Sequence, residues 1–340
     1  MKRWRSYICW GMVTLIVVTT IAGAIYEQIG RPQAARNFPP PGQLVDIGGR
    51  RLHIDCRGSG SPTVVLESGL DINGSFSWSL VHQKIAETIT RACAYSRAGI
   101  LWSDPHDAPQ NGTSVAEDLH AALETSGERG PFVLVGHSLG GSYIMTYTKY
   151  FGAAVAGVVF VDTSHPDQVQ RFKVLHVPES SAETYLFKVG VVLNWTGIVR
   201  AVAPLYDRVP HQPVQDDRIV KAYASSSLGP MMKEQDALEL TLAEAGTFRE
   251  LGDRPLVVLT AMKPYPPEFL AELNLSEKQG RTIHDVIKQL HDEQASWSSN
   301  SRHQLVSDAS HYIQFDRPDI VIAAVQSVVE SVRAKSKIGP

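Results

Sequence analysis

Ser138 sits in Gly136-His137-Ser138-Leu139-Gly140, a G-x-S-x-G pattern. An apolar run at 132–135 feeds into it and a helical pattern at 139–151 follows. A serine held on a sharp strand-to-helix turn has a strained backbone, and neighbours without a Cβ let that turn close. The helix start then offers unsatisfied N–H groups and a positive dipole end where an oxyanion would form. That chemistry is nucleophilic attack on a carbonyl, and it requires a base and a group that orients the base. The competing chemistry is a phosphate-gripping loop, which needs a lysine after its glycines. Here Gly140-Gly141-Ser142 carries none.

The elements that must hold this turn can be read from the surrounding pattern. A hairpin is expected from 44–47 and 51–56 about the Gly48-Gly49 turn. Strands follow at 63–67, 91–95, 132–135 and 155–161, with helices at 78–87, 114–125 and 139–151. Ser114 and Glu117 have capping-box spacing for the second of these helices. Such alternation points to a largely parallel sheet covered on both faces. Regularity stops between 165 and 251, where only helix-like patches occur, rich in Tyr, Trp and Met. A strand at 256–260, a helix at 283–297, a short strand at 304–307 and an amphipathic helix at 318–332 complete the chain.

Taken together, the stretch 44–332 resembles an α/β-hydrolase fold serine hydrolase of the esterase and proline-iminopeptidase kind. The elbow carries the resemblance. So does Y-S-R-A-G-I-L-W-S-D from Tyr95, which is similar to the family's Y-D-R-x-G-x-G-x-S. Ser96 there replaces an acid and Leu101 a glycine. L-E-S-G-L-D from Leu66 stands where the family usually shows H-G-x-P, with Ser68 in place of histidine. The resemblance implies a class α/β architecture with a mostly parallel eight-stranded sheet and a helical cap insertion. On it the chain divides into 1–30, an anchor or signal segment; 31–43, a linker; 44–164 and 252–340, the hydrolase core; and 165–251, the cap.

The site residues follow from the same match. The backbone N–H groups of Leu70 and Leu139 would form the oxyanion hole. Among twelve histidines, His311 lies in the loop between the last strand and the closing helix, where the family keeps its catalytic base. The usual post for the acid, after the strand at 256–260, holds no carboxylate before Glu268. Some members of that family place the acid after the preceding core strand, which implies Asp162, ending the strand at 155–161, as the preferred acid, with Glu268, Asp285 or no acid as alternatives. The family's sheet sets Cys56 and Cys93 on neighbouring antiparallel strands, so the resemblance also implies a disulfide between them. No cofactor or metal is called for. There is no H-E-x-x-H, and His284 and His291 are read as a solvated helix face.

The first thirty residues say where such an enzyme would work. Lys2, Arg3 and Arg5 precede 19 uncharged residues at 7–25, which as a helix would span about 28 Å. Basic residues at this end place it in the cytoplasm and the rest outside. An uncleaved membrane anchor is preferred. Ala22-Gly23-Ala24 also fits a signal-peptidase site, which would make the protein secreted. Arg31, Pro32 and three prolines at 39–41 read as an extended tether. The formal charge of −3 excludes a nucleic-acid partner, since phosphate binding needs a basic surplus. The expected partners are a small ester or amide and the membrane. Cleavage of a carboxylic ester is the leading function, with amide cleavage or a non-catalytic binding role of the same fold as alternatives.

Overall fold

The computed structural model describes residues 2–175 and 182–339. Eight strands form one sheet: β1 (Gln43–Asp46), β2 (Arg51–Arg57), β3 (Thr63–Glu67), β4 (Ala92–Ser96), β5 (Phe132–His137), β6 (Val155–Val161), β7 (Leu256–Ala261) and β8 (Ser301–Val306). Their order across the sheet is β1-β2-β4-β3-β5-β6-β7-β8. Only the β1–β2 and β2–β4 pairings are antiparallel; the remaining five are parallel. This is the α/β-hydrolase fold. The central strands are buried on both faces, which is why they read as continuous apolar runs rather than alternating ones.

Among the described residues, thirteen α-helices surround and extend the sheet: α1 (Lys2–Asn37), α2 (His82–Thr88), α3 (Gly112–Thr125), α4 (Gly140–Phe151), α5 (Gln168–Val174), α6 (Ala182–Leu193), α7 (Ile198–Val202), α8 (Val214–Asp236), α9 (Leu238–Gly246), α10 (Pro267–Glu272), α11 (Glu277–Ala295), α12 (Ile313–Asp316) and α13 (Pro318–Ala334). One core layer packs α3 and α4 on the sheet through Leu119, Ile144, Met145 and Phe160. The other packs α2 and α13 through Ile85, Val325, Val328 and Val329. Helices α5 to α9 lie between β6 and β7. The last of them, α9, packs on the core, with Leu242 beside Val115, Leu139 and Tyr143.

Several local expectations are corrected. The tether expected at 31–43 is helical through Asn37, because α1 runs on past Pro32. Proline removes one helix hydrogen bond there. Tertiary packing offsets that loss: Ala34 is buried with Trp102 and Tyr223, and Glu27 pairs with Arg31 and Arg200. The cap of α3 is Asn111 rather than Ser114. Asn111 has an extended backbone (φ −90°, ψ 178°), and its Oδ1 accepts the Ser114 N–H at 3.0 Å. Ser114 already lies inside the helix.

Cys56 and Cys93 face each other in the β2–β4 register and are joined by a disulfide. Leu101, standing where the resemblance has glycine, takes a left-handed backbone (φ 52°). Its N–H donates to Ser227 Oγ of α8 at 2.9 Å, and that contact helps offset the strain.

Candidate active site

Strand β5 ends at His137, and Ser138 turns the chain into α4 with φ 53°. That conformation is costly for a residue with a Cβ and is typical of functional turns. The surrounding backbone over-determines it. Ser138 N–H donates to Val161 O at 3.3 Å, and Ser138 O accepts from Gly141 N and Ser164 N. Gly140 is obligatory here, since a Cβ on it would fall 2.6 Å from Glu67 O. Ser138 itself remains partly exposed.

Asp162 follows directly on β6, next to the strand end that grips Ser138 N–H. Its backbone also turns left-handed (φ 46°). The buried carboxylate is held at both oxygens: Oδ1 accepts Ala261 N–H at 2.9 Å and Oδ2 accepts from His311 Nδ1 at 2.7 Å. Burial by itself would raise this carboxyl. The His311 hydrogen bond and charge, His291 nearby and the Ala261 N–H together hold it below its ordinary value. His291, expected on a solvated helix face, is buried instead and braces the same corner, donating from Nε2 to Thr163 O at 2.8 Å while its Nδ1 accepts from Thr260 Oγ1.

His311 lies in the β8–α12 loop with half of its side chain exposed. Two contacts fix the loop. Asp316 Oδ2 accepts Ser310 N–H at 2.7 Å, and His137 Nε2 donates to His311 O at 2.9 Å. The rings of His137 and His311 are 4.7 Å apart. His137 is fully enclosed, and burial pulls its pKa down to about 3, so it stays neutral and acts as packing beside Ser138. Thus the structure brings Ser138, Asp162 and His311 to one sheet edge. Glu268 and Asp285 are exposed, on α10 and α11, and neither is bonded to His311.

The loop after β3 approaches from the other side. A Cβ on Gly69 would fall 2.9 Å from Ser138 Cβ and 3.0 Å from His137 Nδ1. Among the described residues, neither Leu70 N–H nor Leu139 N–H donates within the chain. Both are therefore available beside the serine. Leu70 and Leu139 pack with Val169 and Leu238, so α5 and α9 flank the site.

One group that the sequence reading quoted but gave no role is Arg97. It is 2% exposed and donates to Glu67 Oε1, Ser68 O, Ser68 Oγ, Gly69 O and both carboxylate oxygens of Glu234, all within 2.9 Å. Tyr95 donates to the remaining oxygen of Glu67. A single buried guanidinium therefore ties β3 and the Ser68-Gly69 carbonyls to α8. The arginine inside Y-S-R-A-G was the available signal; its partner Glu234, 137 residues away, had none.

Metal-binding geometry is weak. His165, Asp167 and Glu293 come together, but Arg249 and Arg171 already hold the two carboxylates.

A model of the alpha/beta hydrolase family matches residues 30–324. The chain belongs to the alpha/beta hydrolase family. A Hormonema carpetanum protein named "Probable transporter efuK" is 28% identical over 323 residues, covering 87% of this chain and 44% of that protein. The chain spans about half the length of the first curated relatives it matches. Among solved structures, a thermophilic esterase from Thermogutta terrifontis superposes with a TM-score of 0.55 at 16% identity, covering 85% of this chain and 98% of that one. A probable hydrolytic enzyme from Pseudomonas aeruginosa gives 0.61 at 17% identity, covering 86% and 95%. At such identities these structures show a shared alpha/beta hydrolase fold.

Proposed function

We propose that this protein is a serine hydrolase that cleaves a carboxylic ester through an acyl-enzyme. The observation that carries the reading is the His311–Asp162 hydrogen bond of 2.7 Å, formed at the sheet edge where Ser138 occupies a strained elbow. In this mechanism His311 Nε2 takes the Ser138 hydroxyl proton as Oγ attacks the carbonyl carbon. Asp162 holds Nδ1–H and stabilises the imidazolium that forms. The N–H groups of Leu70 and Leu139 receive the oxyanion. His311 then protonates the departing alcohol, and water attacks the acyl-enzyme by the reverse sequence.

The same reading makes α1 a membrane anchor, with its basic end in the cytoplasm and the hydrolase outside. Its apolar stretch is exposed along 7–25, as a bilayer span requires. Hydrolysis of p-nitrophenyl esters of graded chain length, set against aminoacyl anilides, tests the substrate class. Ester turnover with silent anilides is the expected result. Anilide turnover that exceeds ester turnover would make the protein an amidase, and no turnover of either would favour a binding role.

A further inference from the structure

A helix on the surface of a soluble protein turns its polar residues outward. Helix α6 does the reverse. Tyr185 and Val192 lie on its outer face, the last 71% exposed. The apolar surface continues through Trp195 to Leu205, which is 81% exposed. Between 184 and 205 the only charged residues are Lys188, paired with Asp236, and Arg200, buried against Glu27. A contiguous patch of this kind marks a contact surface.

What covers it is indicated by its neighbour. Helix α1 touches the turn between α6 and α7 with no room for side chains. A Cβ on Gly23 would lie 2.0 Å from Thr196 O, and one on Gly197 would lie 2.4 Å from Gly23 O. Ile21, Ile25 and Ile29 of α1 form an apolar groove with Trp195. The buried Glu27–Arg200 pair (2.8 Å) locks the two elements together. The α6–α7 turn is therefore fixed at the carboxyl end of the apolar run of α1. Once that run crosses a bilayer, the outer face of α6 is carried to the edge of the same hydrocarbon layer. The stretches Thr184–Thr196 and Ile198–Leu205 meet at 113°, and each is too short to span. Their geometry suits an element lying in the interface, where a tryptophan such as Trp195 is favoured.

Behind this face lies a cavity of about 360 Å³, lined by Phe187, Val199, Val220, Leu228 and Met231. Its inner wall includes Ile72 and Asn73, which follow Leu70 in the loop beside Ser138. Size and lining both suit an apolar chain.

We propose that the outer face from Tyr185 to Leu205 lies in the bilayer that α1 crosses, and that the cavity behind it receives the acyl chain of an ester drawn from that bilayer. This rests on α1 as a membrane anchor and on Ser138 as the nucleophile.

The test uses the full chain in phosphatidylcholine vesicles doped with an ether-linked phosphatidylcholine that carries a diazirine near one chain end. Irradiation and peptide mapping then read three regions separately. Adducts are expected on 7–25, on the outer residues Tyr185, Val192 or Leu205, and on cavity residues Leu228 or Met231. Adducts on 7–25 with none on 185–205 would overturn the embedded face. Adducts on the outer face with none in the cavity would overturn the acyl-chain route. Absence from 7–25 would remove the anchor reading and the proposal with it. A dimer trapped in the same vesicles by a bifunctional amine cross-linker, with no lipid adducts on 185–205, would assign the face to a second copy instead. Because the probe lipid carries no ester, a failed nucleophile assignment leaves these outcomes readable.

Discussion

His311 Nδ1 donates to Asp162 Oδ2 at 2.7 Å, and Asp162 stands at the end of β6, one strand away from the usual post after β7. Strands β6 and β7 are parallel neighbours, so their carboxyl ends open on the same edge and either can present an acid to the same imidazole. The carboxylate even reaches across that gap, accepting the Ala261 N–H of β7. Asp162→Asn keeps the shape but presents the wrong hydrogen-bonding partner to Nδ1–H. Its kcat should fall by about 10³–10⁴-fold with KM nearly unchanged. Glu268→Gln, on exposed α10, should leave kcat within about twofold, the scatter of a neutral surface change. Steady-state kinetics on one ester reads both.

Gly69 of the loop after β3 lies against Ser138. Gly69→Ala would set a Cβ 2.9 Å from Ser138 Cβ, so the loop must retreat and carry Leu70 N–H away from the developing oxyanion. Loss of one such donor costs about 10²–10³-fold in kcat. A variant retaining full kcat would place the oxyanion elsewhere.

Arg97 neutralises Glu67 and Glu234 inside the protein, and burial pushes both carboxyls upward in spite of it. Arg97→Ala leaves two buried carboxyls without their cation. Breaking a pair of this kind costs about 3–5 kcal/mol, measurable as a lower urea midpoint of the detergent-solubilised chain. Glu234→Gln retains a hydrogen-bonding group toward the guanidinium and should cost less.

Two buried histidines oppose folding in acid. Burial lowers His137 to about 3 and His53 to about 4, both below the ordinary value of 6.5. At these two sites the unfolded chain therefore binds more protons than the folded one below pH 6.5, against the opposite tendency of the buried Glu67 carboxyl. Their stabilising effect is complete above that pH and is lost as pH falls through 6.5 toward the folded values. Each group contributes a slope of up to about 1.4 kcal/mol per pH unit in that window. Urea midpoints at pH 5 should lie below those at pH 7.5 with an unchanged m-value.

Much of the fold was legible because its parallel strands are buried on both faces and end in distinct turns. The elbow was visible for the same reason that it works: Gly136 and Gly140 are needed where backbone approaches backbone. Asp162 emerged only by noticing an empty post, since an aspartate ending a strand is otherwise common in turns. Arg97 carried a local signal, but Glu234 did not, because α8 meets β3 and the loop after β4 through tertiary packing alone. Pro32 misled for a related reason. Local propensity argues against a helix there, and Ala34 packing on Trp102 and Tyr223 overrides it. Asn111, rather than Ser114, capped α3 because the extended backbone of Asn111 is what lets a side chain reach the helix N–H groups.

The central claim is that Ser138 is an activated nucleophile. Intact-mass and peptide mapping after brief fluorophosphonate treatment tests it most directly. The account predicts one phosphonyl adduct on Ser138, none in Ser138→Ala, and much slower labelling in a His311→Ala chain. An unlabelled wild type, or labelling that persists in Ser138→Ala, would contradict it.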